Sequence, residues 1–560
     1  MLLGALGSRA EAISLQDKPE QSPNQPPYAI ADILNFKEAA KILNDSGYAE
    51  RSEKPVATQE AAAHPVRIDS GLISGATDKD EVTAYLGIPF AAPPVGQLRW
   101  RPPQTVAHWD GVRPANHFGV SCMQDQVGSR LPWTEEFMTQ GPISEDCLFV
   151  NVWTTAKSPS EKQAVMVFIY GGGFREGSSS VAVYKGSALA KKGVVAVTLN
   201  YRVGPLGFLV HPDLTKESEH HSSGNYGLLD QIAALQWVQR NIAAFGGDPK
   251  RVTIFGQSAG AISVADLMRS ALAKGLFSRA IAESGPGLFP ENILGGGTFE
   301  QREQQGVKYA ESKGAHSLAE LRALPAAEFY KSTPGSMGPP GAAAPVMDDW
   351  VVPAEQPTHQ VPLMIGMVAG DALFLGGFGP QTAPTVANYR SYAEKTYGDR
   401  SSEFLKLYLA DEDGAVAAAK QSSLTDRARV TIDVWCKDQV KRSGTVYTYY
   451  FDHPIPWPAH PEFGAFHTSE VPYLFQTLKL IDRPWQPADF QLSDTMATYW
   501  SNFAKTGDPN GSESNRSGLP GWPAYEPGSH TTMELGSHLG PIPVADPAKV
   551  QFFSAYLIKR

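Results

Sequence analysis

The stretch 251–260, with the sequence RVTIFGQSAG, constrains the fold of this chain more than any other. Its first half is apolar and suits a buried strand, and residues 259–268 suit a helix. Between them lies Gly-x-Ser-x-Gly, in which small residues two positions either side of Ser258 let the chain pass through a sharp, strained turn. The turn pushes Ser258 out of the sheet and sets a helix N-terminus beneath it, where negative charge is favoured. The pattern predicts a nucleophilic serine, provided that the chain also supplies a base, an acid and an oxyanion site; a serine-rich turn that matches by chance is the alternative.

Composition excludes several other classes of protein. Of 560 residues, 42% are hydrophobic and 19% charged, which is typical of a globular protein with a large core. The net charge of −10 provides no basic surface for nucleic acid and would be repelled by acidic lipid. No apolar run reaches the length of about 18 residues that a membrane span needs. Three cysteines without a Cys-x-x-Cys pair argue against a disulfide scaffold or a zinc ribbon.

Residues 1–63 differ from the rest of the chain and are predicted to be an N-terminal extension. The apolar start, followed by Ala-Glu-Ala at 10–12, is typical of the trimmed end of a secretory signal; an ordinary chain start is the alternative. Residues 13–28 are polar and proline-bearing, and we expect them to be loosely ordered. Helical spacing predicts one amphipathic helix over 30–43 before a linker. The main domain is expected to span residues 64–560.

Strands and helices alternate along this main domain. The predicted strands are 66–75 paired with 82–90, 148–153, 165–170, 194–199, 252–256, 362–368 and 445–451, and the predicted helices are 226–242, 259–268, 387–436 and 492–504. Strands 165–170 and 194–199 are continuous apolar runs, as expected for strands that are covered on both faces. The alternation predicts an α/β fold with a mostly parallel central sheet flanked by helices. The loop-rich stretch 286–353 interrupts it and predicts a lid or pocket wall.

A run of three glycines lies upstream, directly after a predicted buried strand. The sequence at 170–174 is YGGGF, and glycines in series leave backbone N–H groups able to approach a substrate closely. In α/β-hydrolases, such a run after an early strand supplies the oxyanion site. We therefore expect the N–H groups of Gly172, Gly173 and Ala259 to hold the charge that develops on a carbonyl oxygen. A flexible turn is the alternative.

An acyl-transfer serine needs a histidine base downstream of it. His467 follows a small-residue turn, whereas His453 and His460 lie beside prolines in a loop that has the character of a surface segment. All three satisfy the order of serine, acid and histidine that α/β-hydrolases use. The residues alone therefore leave the choice open.

The acid has three candidates as well. Asp371 comes just after the predicted strand 362–368, and catalytic groups of such sheets lie at the carboxyl ends of strands. Asp348 and Asp349 are its rivals, although they lie within the loop-rich insertion. Any of these carboxylates could orient an imidazole and stabilise its protonated form.

From about residue 65 onward, the chain resembles the type-B carboxylesterases, the family of cholinesterases and bacterial para-nitrobenzyl-type esterases. Several blocks in the family's order carry the resemblance: GIPFAAPP (87–94), LRW (98–100), EDCLFVNV (145–152), NYR (200–202), GNYGLLDQ (224–231) and FGGDP (245–249), followed by GQSAG. The resemblance implies an α/β-hydrolase fold with large helical and loop insertions that form the pocket. The first 60 residues show no such resemblance.

The resemblance also implies roles for individual residues. His467, followed by EVPY at 470–473, matches the family's catalytic histidine block. Asp371 falls where the family usually has glutamate, and its side chain is one methylene shorter. Ser284, in Glu-Ser-Gly, is similar to a residue that supports the catalytic group; a turn serine is the alternative.

Further positions match the family or depart from it. Cys122 and Cys147 match the family's first disulfide, which agrees with an exported protein and leaves Cys436 free. Gln257 replaces the glutamate that cholinesterases carry before the serine, which argues against a choline-ester specialist. Tyr170 replaces the histidine that usually begins the glycine run, and activity should survive because the donors are backbone groups.

Together, these observations predict a serine carboxylic-ester hydrolase. Ser258 would attack the ester carbonyl, His467 would take and return the proton, and Asp371 would hold the imidazole in the required tautomer. No metal or organic cofactor is expected. An acyltransferase or an amide or carbamate hydrolase would use the same residues and is the alternative; a non-catalytic adhesion module of this fold would lack the serine or the histidine.

The expected partner is a small-molecule ester. Phe174, Phe374 and Phe466 are candidate pocket walls, which favours apolar or aromatic esters, although Phe374 and Phe466 would be core residues in the alternative interpretation. We expect no nucleic-acid partner and no membrane span, and a monomer or a homodimer. The signal-like start and the cysteine pair predict export to the periplasm or the medium.

Overall fold

A mostly parallel sheet forms the centre of the fold, which confirms the prediction from alternating strands and helices. The computed structural model describes residues 61–62, 65–126, 128–286, 288, 297–331, 344–354, 359–371, 383–512 and 518–558. The predicted helix over 30–43, Phe374 and most of the loop 332–345 lie outside these ranges.

The strands form one large sheet and two small ones. In chain order they are β1 (Ala61–Ala62), β2 (Val66–Ile68), β3 (Gly71–Ser74), β4 (Ala76–Thr77), β5 (Thr83–Pro89), β6 (Val112–Pro114), β7 (Ser121–Cys122), β8 (Ile143–Ser144), β9 (Phe149–Thr154), β10 (Gln163–Ile169), β11 (Val194–Leu199), β12 (Gly247–Gln257), β13 (Arg279–Glu283), β14 (Leu363–Val368), β15 (Val446–Phe451), β16 (Thr531–Leu535) and β17 (Leu539–Pro543). The order of the large sheet is β1-β4-β5-β9-β11-β10-β12-β13-β14-β15-β16-β17, and the small sheets are β2-β3-β6 and β7-β8.

The centre of the large sheet is parallel, and its two ends are antiparallel. All neighbours from β11 to β16 in the sheet order run parallel. Strands β1, β4, β5 and β9 pair antiparallel at one end, and β17 pairs antiparallel with β16 at the other. Every residue of β11, β14 and β15 is buried, which explains why these segments are apolar runs rather than alternating patterns.

Helices follow most of the central strands. In chain order they are α1 (Ser187–Lys191), α2 (Gly204–Phe208), α3 (Pro212–Glu217), α4 (Tyr226–Asn241), α5 (Ala259–Arg269), α6 (Phe299–Ser312), α7 (Leu318–Ala323), α8 (Val386–Tyr397), α9 (Ser401–Leu407), α10 (Asp413–Ser443), α11 (Val471–Leu474), α12 (Pro487–Thr506) and α13 (Pro547–Ile558). The predicted helices 226–242, 259–268 and 492–504 correspond to α4, α5 and α12. Within the described ranges, every helix is too short or too polar to cross a bilayer.

The predictions for residues 66–90 differ from the structure. Residues 66–75 are a hairpin of β2 and β3 rather than one strand, because Asp69 and Ser70 form a turn between them. Strand β5 pairs instead with β4 and β9. In the stretch that was expected to be an extension, β1 pairs with β4 at the edge of the large sheet.

Among the described residues, 383–420 belong to a smaller compact unit and the others to a larger one. In the smaller unit, the rings of Tyr397 and Phe404 are buried and stack with centroids 4.4 Å apart. The helix that was predicted over 387–436 is divided into α8, α9 and α10. Gly398 ends α8 by adopting a φ of 54°, a conformation that glycine tolerates better than other residues.

The predicted disulfide is present in the larger unit. Cys122 and Cys147 are bonded, with Cα atoms 4.9 Å apart, and Cys436 is a buried free thiol. The bond closes a loop between residues 25 positions apart. Such closure stabilises the fold chiefly by restricting the unfolded chain.

We expect the double variant Cys122→Ser/Cys147→Ser to be less stable by about 3–4 kcal/mol, because a loop of this length regains its entropy in the unfolded state. Thermal denaturation with and without a reducing agent measures the effect. Reductant should lower the melting temperature of the native protein and leave the double variant unchanged. Equal melting temperatures for the two proteins under oxidising conditions would contradict this prediction.

Candidate active site

The turn that carries Ser258 joins β12 directly to α5. Ser258 has a φ of 58° and a ψ of −121°, which is a strained backbone conformation for a residue with a side chain. Its N–H donates to the carbonyl of Glu283 at 2.8 Å, and its own carbonyl accepts from the N–H of Ile262 at 3.1 Å. The sharp strand-to-helix turn predicted from Gly-x-Ser-x-Gly is therefore present, with Ser258 half-buried at its apex.

The two glycines of the pattern let the turn contact the neighbouring strand. A Cβ atom at Gly260 would lie 2.0 Å from the carbonyl oxygen of Ile169, the last residue of β10. A Cβ atom at Gly256 would lie 2.7 Å from the same oxygen and from the carbonyl of Gly260. No side chain fits at either position, so both positions require glycine.

The glycine run follows β10 and lies against the serine. A Cβ atom at Gly171 would come within 2.9 Å of the Cβ of Ser258. Gly172 and Gly173 have φ values of 91° and 62°, and space around Gly173 is open. Within the described part of the chain, the N–H groups of Gly172, Gly173 and Ala259 make no hydrogen bond. Three peptide donors are thus available beside the serine.

The next residue in this loop does not face that open space. Phe174 is fully buried, with a φ of 60°, and its ring packs edge-on against Phe208 with centroids 5.1 Å apart. Phe466 is also buried and packs in the same way against Phe137 at 5.7 Å. Both belong to the hydrophobic core, and Phe374, the third candidate for a pocket wall, lies outside the described residues.

The structure brings His467 and Asp371 together. Nδ1 of His467 lies 2.5 Å from Oδ1 of Asp371, and both side chains are buried. The other carboxylate oxygen accepts the N–H of Val368, at the end of β14, at 3.0 Å. An ionised carboxylate only accepts hydrogen bonds, so the contact assigns the proton to Nδ1 and leaves the Nε2 lone pair as an acceptor.

The loop that carries His467 packs closely on the loop that carries Asp371. The N–H of Gly370 donates to the carbonyl of Ala465 at 2.8 Å. A Cβ atom at Gly370 would lie 2.5 Å from that oxygen and 2.7 Å from the Cα of Phe466. The absence of a side chain at Gly370 therefore lets the two loops approach closely.

The rival residues have other partners. Nε2 of His453 pairs with Asp489 at 2.8 Å, and Nδ1 of His460 pairs with the exposed Glu462 at 3.0 Å. Asp348 accepts three backbone N–H groups of its own turn, from residues 350–352, and Asp349 accepts the N–H of residue 354. Of the candidates that the sequence left open, His467 and Asp371 are the pair in direct contact.

Gln257 links the serine turn to the histidine. Its side-chain nitrogen lies 3.3 Å from Nε2 of His467, so the amide donates to the lone pair that faces the turn. Its oxygen accepts from the hydroxyl of Thr468 at 3.5 Å. Because Gln257 precedes Ser258, this contact brings the acceptor nitrogen of the imidazole to the turn.

A cluster of buried acids lies behind the histidine. Burial raises the pKa of Glu283 to about 8, although Trp500 donates its indole N–H to the carboxyl at 2.7 Å. Burial, with the neighbouring carboxyl groups of Glu283 and Asp371, raises the pKa of Glu470 well above its ordinary value. With a pKa of about 8, Glu283 is mainly protonated at neutral pH, so it adds little negative charge near Asp371.

Sequence reasoning identified Ser284 but missed Glu283 and Glu470. Each is within three residues of a predicted site residue. Glu283 also ends the apolar strand RAIAE of β13, where a charged residue type is unusual. A carboxyl group at the end of an apolar strand was the sequence signal from which Glu283 could have been identified. Trp133, which contacts the main chain of His467, gave no local signal at all.

Comparisons with known proteins identify the family of the chain. The sequence model of the carboxylesterase family matches residues 62–550. The chain is 35% identical over 516 residues to fumonisin B1 esterase of Sphingopyxis macrogoltabida, covering 87% of this chain and 89% of that protein. It is 34% identical over 491 residues to para-nitrobenzyl esterase of Bacillus subtilis (strain 168), covering 84% and 94%. It is 31% identical over 516 residues to acylcarnitine hydrolase of Mus musculus, covering 86% and 88%.

We expect Gly260→Ala to destabilise the protein and abolish activity, because its Cβ would meet the carbonyl of Ile169 at 2.0 Å. The loss of stability should be at or above the upper end of the roughly 1–3 kcal/mol that overpacking costs. Chemical denaturation measures it, and Gly521→Ala is the matched control because a Cβ there meets nothing within 4 Å. An active Gly260→Ala variant of native stability would show that the turn does not need this contact.

We expect Glu283→Gln to become more stabilising, relative to the native protein, as pH rises. Between the ordinary pKa of 4.5 and about 8, the folded state keeps a proton that the unfolded state has released. Native stability therefore falls across this window by up to about 1.4 kcal/mol per pH unit, and the amide escapes this loss. Melting temperatures at pH 5, 6.5 and 8 test the trend against the exposed control Glu311→Gln. A difference that stays constant with pH would argue against a protonated Glu283.

Proposed function

Since this chain belongs to the carboxylesterase family and is an ester hydrolase, we propose that it works through Ser258, His467 and Asp371. The observation that carries the proposal is the 2.5 Å contact between Nδ1 of His467 and Asp371, with Nε2 directed to the serine turn beside Gln257. This is the arrangement in which a histidine accepts the proton of a serine hydroxyl.

The reaction proceeds by two acyl-transfer steps. Ser258 Oγ attacks the ester carbonyl while its proton moves to Nε2 of His467, and the carbonyl oxygen becomes negatively charged. The imidazolium then protonates the departing alcohol as the C–O bond breaks, which leaves an acyl-serine. Water attacks this ester, His467 takes the proton of that water and returns it to Ser258, and the acid departs.

The charged oxygen is stabilised by the N–H groups of Gly172, Gly173 and Ala259. These N–H groups donate to no other residue in the described part of the chain, and the space at Gly173 is open; both observations support this role. The start of α5 beneath the serine adds a favourable dipole. Each oxyanion donor in such sites is worth about 3–4 kcal/mol in the transition state.

The surroundings of His467 support a preference for apolar or aromatic esters. The core residues Phe466 and Phe137 make its immediate surroundings apolar, and the half-buried Trp133 contacts its carbonyl. A series of esters of graded chain length, together with bulky aryl esters, tests the preference through kcat/KM. The highest values for short, charged acyl groups would contradict it.

We also propose that the protein is exported and acts on small esters as a monomer or a homodimer. The Cys122–Cys147 bond supports export, because disulfides persist mainly in oxidising compartments. Fractionation of the cells that produce it, followed by sizing of the purified protein, tests both statements.

We expect a fluorophosphonate probe to label Ser258 and to abolish esterase activity in proportion. Ser258→Ala should be unlabelled and inactive, and Asp371→Asn should lose about 10⁴-fold in kcat because the imidazole takes the wrong tautomer. Ser160→Ala, which changes an exposed serine, is the control and should behave as the native protein. Labelling at another residue, or full activity of Ser258→Ala, would overturn the mechanism; ester exchange that outpaces hydrolysis with an added alcohol would favour an acyltransferase.

A further inference from the structure

We propose that Trp133 is a positioning residue for His467: its indole N–H holds the peptide between residues 467 and 468 in the orientation that catalysis requires. The inference rests on the proposed roles of Ser258 and His467. Trp133 lies outside the loops that carry the three catalytic groups and reaches His467 through its main chain.

One donor serves two acceptors on the histidine loop. Nε1 of Trp133 lies 3.1 Å from the carbonyl oxygen of His467 and 3.2 Å from the hydroxyl oxygen of Thr468. An indole N–H can only donate, so both oxygens accept from it. The bond spans 334 positions of sequence and acts on the backbone of the residue whose side chain faces Asp371.

The peptide that Trp133 holds needs this support because the next residue is strained. Thr468 has a φ of 86°, and a β-branched residue is rarely found in the left-handed region. Such conformations persist only where surrounding contacts impose them. Trp133 donates to the carbonyl of His467 and to the hydroxyl of Thr468. That hydroxyl passes the constraint to Gln257, whose amide faces Nε2 of His467. Rotation of this peptide would turn the imidazole away from Asp371.

Trp133 is itself fixed to the glycine loop. Arg130 and Trp133 exchange two backbone hydrogen bonds of 2.9 and 2.8 Å, and the guanidinium of Arg130 lies over the indole ring at 5.5 Å from its centroid. Arg130 also pairs with Glu176, whose N–H donates to the carbonyl of Gly172 at 3.2 Å. This segment, within the Cys122–Cys147 loop, therefore sets the spacing between the oxyanion donors and the base.

The decisive variant is Trp133→Phe, which keeps an aromatic ring and removes the donor. We expect kcat per active site to fall roughly 10- to 100-fold, the effect of small misplacements of catalytic groups. KM should change less than twofold, and the factor should be the same for aryl and alkyl esters. Active sites are counted with the fluorophosphonate probe, so that misfolded molecules do not enter kcat.

Trp109→Phe is a closely matched control. Trp109 is likewise half-buried, donates its indole N–H to a carbonyl, that of Leu72, at 2.9 Å, and has the guanidinium of Arg113 over its ring at 5.4 Å. Its acceptor lies in β3, outside the site. The control should keep native kcat per titrated site even if its melting temperature falls as much as that of Trp133→Phe.

A second variant removes both the strain at residue 468 and the hydroxyl that accepts from the indole. In Thr468→Gly, the left-handed conformation is no longer strained, so removal of the indole donor should matter less. We expect Trp133→Phe to reduce kcat by a smaller factor in the Thr468→Gly background than in the native chain. Equal factors in the two backgrounds would overturn the role assigned to the strained peptide.

The remaining outcomes separate the two proposals. A Trp133→Phe variant with native kcat per titrated site, or one that raises KM for a single ester class, would make Trp133 a structural residue or a pocket wall and overturn the positioning role. Failure of the probe to label native Ser258 would instead overturn the proposed function. If the probe labels Ser258 of the native protein normally and Trp133→Phe keeps native kcat, only the positioning role of Trp133 is overturned.

Discussion

The contact between the serine turn and strand β10 is the constraint on which the site depends. The carbonyl of Ile169 occupies the space that a side chain at Gly256 or Gly260 would need, so two backbones meet directly. This contact fixes where β12 ends and α5 begins, and it holds Ser258 in a conformation that costs about 1–3 kcal/mol. It also places the glycine run beside the serine, because that run comes shortly after Ile169, the residue that contacts the turn.

Parallel pairing of neighbouring strands brings the other candidate side chains to the same edge of the sheet as Ser258. Strands β12, β13 and β14 are neighbours and run in one direction, so Ser258, Ser284 and Asp371 follow their carboxyl ends at one edge of the sheet. The loop after β15 adds His467 from the next position. Because burial keeps Glu283 mainly neutral, the carboxylate of Asp371 meets the imidazole of His467 without a second charged acid from β13 beside it.

The sequence alone predicted those features that are determined by residues close together in the chain. A strand, a tight turn and a helix around Ser258 are local features, and continuous apolar runs identified the buried strands. The hairpin at Asp69 and Ser70 was missed because the whole segment suits extended structure. His467 could not be chosen over His453 from local pattern alone, since the difference lies in which carboxylate each meets in space. Contacts such as Trp133 with His467 join residues 334 positions apart, and no periodicity reports them.

The order of strands has a consequence for synthesis of the chain. From β12 to β17, each new strand is added to the same side of the growing sheet, so a nascent chain always presents one unfinished edge. Unpaired edges recruit other chains, and large proteins are vulnerable at this stage. The final strand closes the series with Pro541 and Pro543, which lack the N–H that a further strand would need. The edge strand β17 is thus poorly suited to pairing with another strand.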